Sequence, residues 1–166
     1  MKNPYRVFIA GLLCLLAMVA GAQDSKEVAT IKATIEKETD SFFNLKRKEW
    51  EDSWLQSSYA YWSYSDSTGT SFIEGWEGIR KSFDDYFRTH VANRQIDVAH
   101  QKGEVKIDRT WISIRVYGNG AYARYTQRVK DDIDRDETSQ IRILEKGKDG
   151  KWRIVCVGAI AVYPKE

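Results

Sequence analysis

The chain has 166 residues, 42% of them apolar and only 2 of them proline, which is the range of one globular domain rather than a linker or a disordered tail. Its 26 Lys and Arg stand against 24 Asp and Glu, and the surplus residues Lys2 and Arg6 lie in a segment expected to be removed. The balanced remainder argues against nucleic-acid binding, which needs a clustered basic excess to displace counterions. Aromatic residues reach 13%, and the composition excludes a collagen, a coiled coil, a disulfide scaffold and a polybasic binder. It does not choose between an enzyme and a binding module.

Lys2 and Arg6 precede an apolar stretch from Val7 to Val19, and Ala20-Gly21-Ala22 then supplies the small residues that a signal peptidase accepts. The pattern predicts a signal peptide over 1–22, cleavage before Gln23, and an exported, periplasmic or extracellular domain over 23–166 with no membrane attachment after cleavage. The apolar run is shorter than the ~20 residues that span a bilayer. Leu13 before Cys14 does not suit a lipoprotein, where a small residue would be needed. Without the leader, Cys156 is the only cysteine, so no intrachain disulfide forms; its run Ile154-Val155-Cys156-Val157 predicts a buried, inert thiol.

In the domain, Val28, Ile31, Ile35 and Phe42 recur at helical intervals from Glu27 and predict a first amphipathic helix. Trp50 and Trp54 stand four apart and predict a short second helix with both indoles on one face. Tyr59 to Tyr64 predicts a strand, with a loop over Ser65-Asp66-Ser67-Thr68-Gly69. Trp76, Ile79, Phe83 and Phe87 predict a third helix over Trp76 to Val91.

Strands make up the rest. Asn119-Gly120 as a type I′ turn pairs Val116 with Ala123 and Ile114 with Tyr125. That register puts Ile112, Ile114, Val116, Ala123, Tyr125 and Gln127 on one face. Trp111, Ser113, Arg115, Tyr117, Tyr122, Arg124, Thr126 and Arg128 share the other. A second hairpin joins Thr138–Lys146 to Trp152–Tyr163, and its last strand alternates Ile154, Cys156, Ile160 and Val162 against Val155, Val157, Ala159 and Ala161. Both faces of that strand need cover, and helices supply only one, so a homodimer through the other face, with Trp111, Tyr117 and Tyr122 outward, is expected.

This order of elements resembles the nuclear transport factor 2-like superfamily and its SnoaL-like proteins. The residues that carry the resemblance are Gly75-Trp76-Glu77-Gly78-Ile79 leading into Phe83 and Phe87, Gly118-Asn119-Gly120-Ala121-Tyr122-Ala123, Arg142-Ile143-Leu144-Glu145-Lys146 and Gly150-Lys151-Trp152-Arg153-Ile154-Val155. It implies an α+β, cone-shaped fold, with three N-terminal helices packed on a strongly curved antiparallel sheet around a pocket, often in a dimer. It implies no single activity, because the fold hosts isomerases, dehydratases, cyclases, transport adaptors and proteins without known chemistry.

The residues themselves give no complete catalytic set. Asp52 beside Trp54 and Asp66 in a turn suit solvated or capping carboxylates, and the weak candidates for proton transfer in a lyase or isomerase are His100, near Tyr125, and Asp52. The run Asp131-Asp132-Ile133-Asp134-Arg135-Asp136-Glu137 has Glu137 and Ile143 where an EF-hand loop needs glycine and glutamate, so it predicts a solvated hairpin tip and no metal. No cofactor motif is present. Trp54, Trp62, Tyr64, Trp76 and Tyr125 come from elements that converge on the cone, with Gln127 and Arg142 as polar groups, as in an apolar pocket for a small, partly apolar molecule. An inward Arg142 needs a carboxylate, from Glu137 or from a carboxylated ligand. The alternative is a non-catalytic structural or interaction dimer whose cone these rings fill.

Overall fold

The computed structural model describes residues 25–96, 105–130 and 135–162. The expected leader, His100 and Asp131 to Asp134 lie outside the described residues. Helix α1 covers residues 25–43. Its Ile31 and Ile35 are fully buried and Phe42 packs on the same core, so the expected apolar stripe faces inward. Leu45 N then donates to Phe42 O and Lys46 N to Ser41 O, the paired bonds of a Schellman turn. Leu45 takes left-handed backbone at φ 59°, which costs a non-glycine residue about 1 kcal/mol and is offset by the packing of its side chain on the core.

That turn sends the chain into α2, Arg47–Asp52, and brings Trp50 back against Phe42 at 6.0 Å between ring centroids. The second helix is shorter than expected. Trp54 lies beyond its end, in a parallel bridge to Ile154, although the two indoles still meet at 6.2 Å.

Strands β1, Tyr61–Asp66, and β2, Gly69–Glu74, form a hairpin where a strand and a loop were expected. Asp66 Oδ1 accepts from Thr68 N at 2.7 Å and from Gly69 N at 3.2 Å, which tightens the turn enough for a second strand to pair. Most of β2 is exposed, so it carries no buried alternation that would reveal it in the sequence. Helix α3, Trp76–Ile96, runs past the expected end at Val91, and buries Trp76, Ile79 and Phe87 with Phe83 packed beside them.

Strands β3, Lys106–Tyr117, β4, Gly120–Lys130, β5, Arg135–Lys146, and β6, Trp152–Ala161, complete one six-stranded sheet of order β2-β1-β6-β5-β4-β3. The fold is α+β, with helices on one face of a curved, open sheet. One detail differs from expectation: β1 pairs with β6 in parallel while the other neighbours are antiparallel. Helix α3 follows the strand segment at Tyr61–Asp66, as the order of the sequence predicts.

The central hairpin turns at Gly118-Asn119 instead of Asn119-Gly120, so Val116 pairs with Ala121 and Ile114 with Ala123. Gly118, at φ 60°, takes the positive dihedral of a II′-type turn, which no side chain adopts cheaply. The two-residue shift leaves every face assignment intact, because side chains alternate with period two. A bulge between Trp111 and Ser113 does change them: Ile112 turns out, at 52% exposure, and Trp111 turns in, with its ring 4.9 Å from Tyr125. Trp111 is therefore no part of the outer face.

A second bulge, between Ile143 and Leu144 opposite Val155, splits the predicted alternation of β6. Ile154, Val157 and Ala159 face the core, while Cys156 and Ile160 turn outward. Cys156 is half-buried, and burial pushes its thiol up from the ordinary value, which leaves it a poor nucleophile.

Glu27 ties the start of α1 to this last hairpin, accepting from Lys146 Nζ at 2.5 Å and from Trp152 Nε1 at 2.6 Å. These bonds, that of Lys146 first, hold its carboxyl below the ordinary value. A carboxyl lowered on folding contributes stability above its unfolded pKa and loses it as pH falls through the lower folded value. In thermal melts between about pH 6 and about pH 3, Glu27→Gln should therefore lose less of its melting temperature than the wild-type chain. Equal losses would show that Glu27 does not anchor α1.

Candidate functional site

The register places the inner-face side chains in rows across the sheet. One row runs Ile73, Trp62, Val157, Arg142, Ala123 and Ile114, and the next runs Ser71, Tyr64, Ala159, Gln140, Tyr125 and Trp111. Beyond them lie Ala161, Thr138, Gln127 and Arg109. On the other side the row of Ile154, Leu144, Ala121 and Val116 is wholly apolar and joins Trp54. The inner face thus has an apolar end and a polar end.

At the polar end Arg142 is buried, 4% exposed, and faces inward. Its counter-ion is Glu38 of α1, itself 5% exposed, with Nη2 to Oε2 at 3.6 Å. Glu137 does not serve; it pairs with Arg128 on the outer face. Glu38 also accepts from Trp50 Nε1 and from the Thr39 hydroxyl, each at 3.1 Å. Arg142 Nη1 donates to Gln140 Oε1 at 2.6 Å and to Ile141 O at 3.1 Å, and Gln140 Nε2 donates to Thr138 Oγ1 at 2.6 Å. The Thr138 hydroxyl in turn reaches Gln127 O at 3.4 Å. Hydrogen bonds, joined through the Glu38–Arg142 ion pair, thus run from α2 through α1 to β5 and β4.

Among the described residues, four buried polar atoms of this end have no hydrogen-bond partner: Tyr125 Oη, Gln127 Oε1, Arg142 Nε and Arg109 Nε. Tyr125 is fully buried, and the Arg142 guanidinium stands 5.7 Å from its ring centroid. Burial pushes the Tyr125 hydroxyl up from its ordinary value, with Arg142 pulling it back and Glu38 adding to the rise, so it is a protonated donor at neutral pH. The Thr39 hydroxyl is near but completes no hydrogen bond with it. Each such atom left unpaired costs about 1–3 kcal/mol, so four together mark a place where a polar partner belongs.

The residues predicted from sequence divide into three groups. Trp62, Tyr64, Tyr125, Gln127 and Arg142 share the concave face, with Trp62 also edge-on to Phe83 at 5.1 Å. Trp54 and Trp76 instead pack with Trp50 in the core at the apolar end, at 6.2 and 5.6 Å. Asp52 is exposed, pairs with Lys48 at 3.4 Å, and borders a separate surface groove of 230 Å³ with Thr34, Lys37 and Trp152. Asp66 holds its turn, as expected. Sequence reasoning missed Glu38, Thr39, Arg109 and Gln140. Glu38 had a signal: it stands three residues after Ile35 and seven after Ile31, on the buried stripe of α1.

No protein-family model and no curated protein matches the sequence. Solved structures do. An NTF2-like family protein of Streptomyces avermitilis, proposed to be a dehydratase, superposes with a TM-score of 0.63 at 11% identity over 85% of this chain and 99% of its own. A ketosteroid isomerase-like protein of Erwinia carotovora atroseptica gives 0.56 at 11% identity over 83% and 98%. An NTF2-like protein of unknown function from Shewanella baltica gives 0.56 at 19% identity over 85% and 97%. At such identities the likeness is one of fold, and the chain has the nuclear transport factor 2-like fold.

Because Tyr125 Oη is buried with no partner among the described residues, Tyr125→Phe should raise stability to denaturant, by up to about 1–3 kcal/mol. Arg142→Met strands Glu38 as a buried lone charge and should cost about 3–5 kcal/mol, with much of it recovered in Glu38→Gln/Arg142→Met. Chemical denaturation of the three variants checks both; a silent Arg142→Met would mean the pair is not buried in solution.

Proposed function

We propose that this is an exported protein that binds a small, partly apolar molecule at the polar end of its cone. The observation that carries the proposal is the set of unpartnered buried atoms on Tyr125, Gln127, Arg142 and Arg109. Trp62, Tyr64 and Trp111 lie in the same rows of the inner face, for the apolar part of the ligand. Such a site has the mix that small-molecule pockets use, mostly apolar walls with a few oriented polar groups. Binding without catalysis is the preferred reading, because Asp52 stands apart from these groups and the Glu38 carboxylate is committed to Arg142, Trp50 and Thr39.

The proposed assembly is a homodimer through the outer sheet face. Ile141, Ile143 and Ile160 are 36, 41 and 54% exposed there on adjacent strands, with Tyr122 and Cys156 beside Ile143. A contiguous apolar strip of this kind marks an interaction surface, and a second copy offers the same strip in a self-complementary pairing.

Three measurements test the proposal. A ligand found by thermal-shift screening should bind about tenfold more weakly to Tyr125→Phe, the loss of one hydrogen bond. If no small molecule binds, and Trp62→Ala and Tyr125→Ala both unfold the protein, the rings fill the cone and the binding proposal fails. Light scattering should give a dimer that Ile143→Asp converts to a monomer; a monomeric wild type would refute the assembly. Mass spectrometry of the exported product should find Gln23 at its N-terminus, and an intact Met1 would refute export by cleavage.

A further inference from the structure

Resting on the homodimer proposed above, we infer that its two-fold axis runs parallel to the strands, between β5 and β6, so that Glu74 of each copy is steered to the partner's Arg115. The register sets the outer face in rows. One row runs Glu74, Tyr61, Cys156, Ile143, Tyr122 and Arg115 from β2 to β3, and the next runs Phe72, Ser63, Gly158, Ile141, Arg124 and Ser113. The apolar strip lies at their centre, on β6 and β5. Charges with no ion pair among the described residues flank it unequally: Glu74 stands on β2, while Arg115 and Arg124 stand on β3 and β4, and all three are exposed. Arg128, further along β4, is already paired with Glu137.

Sheets that pack aligned keep their strands within about 30° of each other, which leaves a two-fold pair two arrangements of this strip against itself. With the axis parallel to the strands, the order β2-β1-β6-β5-β4-β3 is reversed in the partner and every row lies over its own counterpart. Strand β6 then lies over β5 of the other copy, β1 over β4 and β2 over β3. Cys156 meets the partner's Ile143, and Gly158, which has no side chain, leaves a gap beneath the partner's Ile141. Tyr61 lies over the partner's Tyr122, and Glu74 points toward the partner's Arg115. With the axis across the strands, each strand lies over its own copy instead. Arg115 and Arg124 then gather with the partner's Arg115 and the partner's Arg124, and no acid of β3 or β4 lies in those two rows to balance them. Charges act on each other over about 10 Å at 0.1 M salt, so they select the first arrangement even where curved sheets part toward their edges.

The two arrangements give charge reversal opposite signs, and the dissociation constant of the dimer, measured by analytical ultracentrifugation, reads the difference. Arg115→Glu sets an acid against the partner's Glu74 twice per dimer and should weaken the dimer about tenfold at low salt, with the loss shrinking in about 1 M salt. Glu74→Arg/Arg115→Glu restores opposite charges and should return the constant to within about threefold of wild type. Both residues are exposed, so neither change disturbs the core. With the axis across the strands, Arg115→Glu would relieve a cluster of cations and tighten the dimer. A tighter or unchanged dimer in Arg115→Glu, or a double variant as weak as the single one, would overturn the axis and leave the dimer standing. A monomeric wild type would sink the assembly and this inference with it.

Discussion

Glu38 and Arg142 keep each other inside the cone, and the geometry of the helices follows from the need to satisfy that pair. Each ion loses several kcal/mol on leaving water, and attraction between them offsets this only when their remaining hydrogen bonds are made. For Glu38 those bonds come from Thr39 on its own helix and from Trp50. Trp50 reaches it because the left-handed Leu45 ends α1 and folds α2 back beneath it. For Arg142 they come from Gln140 and the Ile141 carbonyl on β5. A single pair thus fixes where α1 crosses the sheet, and a strained residue seven positions from Glu38 is retained because it delivers the third partner.

Alternation made the inner face of β4 legible in the sequence. Ala123, Tyr125 and Gln127 share it whether the turn falls at Gly118-Asn119 or one residue later, since a shift of two in the pairing preserves parity. The bulges were not legible. Trp111 and Ile112 are both large and apolar, as are Ile154 and Val155, so hydropathy gives no reason to skip one residue of either pair, yet the skip decides which side chains reach the core. The face of Arg142 could not be read from its own strand, where apolar and polar residues occupy both sides. Its counter-ion could have resolved the matter: a glutamate on the stripe of Ile31 and Ile35 is buried if the helix is, and a buried carboxylate needs a cation.

The two ends of the cone differ in what they contribute. At the apolar end Trp50, Trp54, Trp76, Leu144 and Ile154 exclude water and account for stability by burial. At the polar end the same sheet carries buried polar atoms that no described residue partners. Stability alone would favour the reverse: an apolar pair in place of Glu38 and Arg142, and phenylalanine in place of Tyr125. Glu38 and Arg142 are nevertheless tied into a network that leaves Arg142 Nε without a described partner, while Tyr125, whose ring centroid lies 5.7 Å from that guanidinium, keeps a hydroxyl likewise unpartnered. On the binding proposal, groups held so firmly and satisfied so incompletely would lose little entropy when a ligand arrives, and the free energy withheld from folding would be recovered on binding.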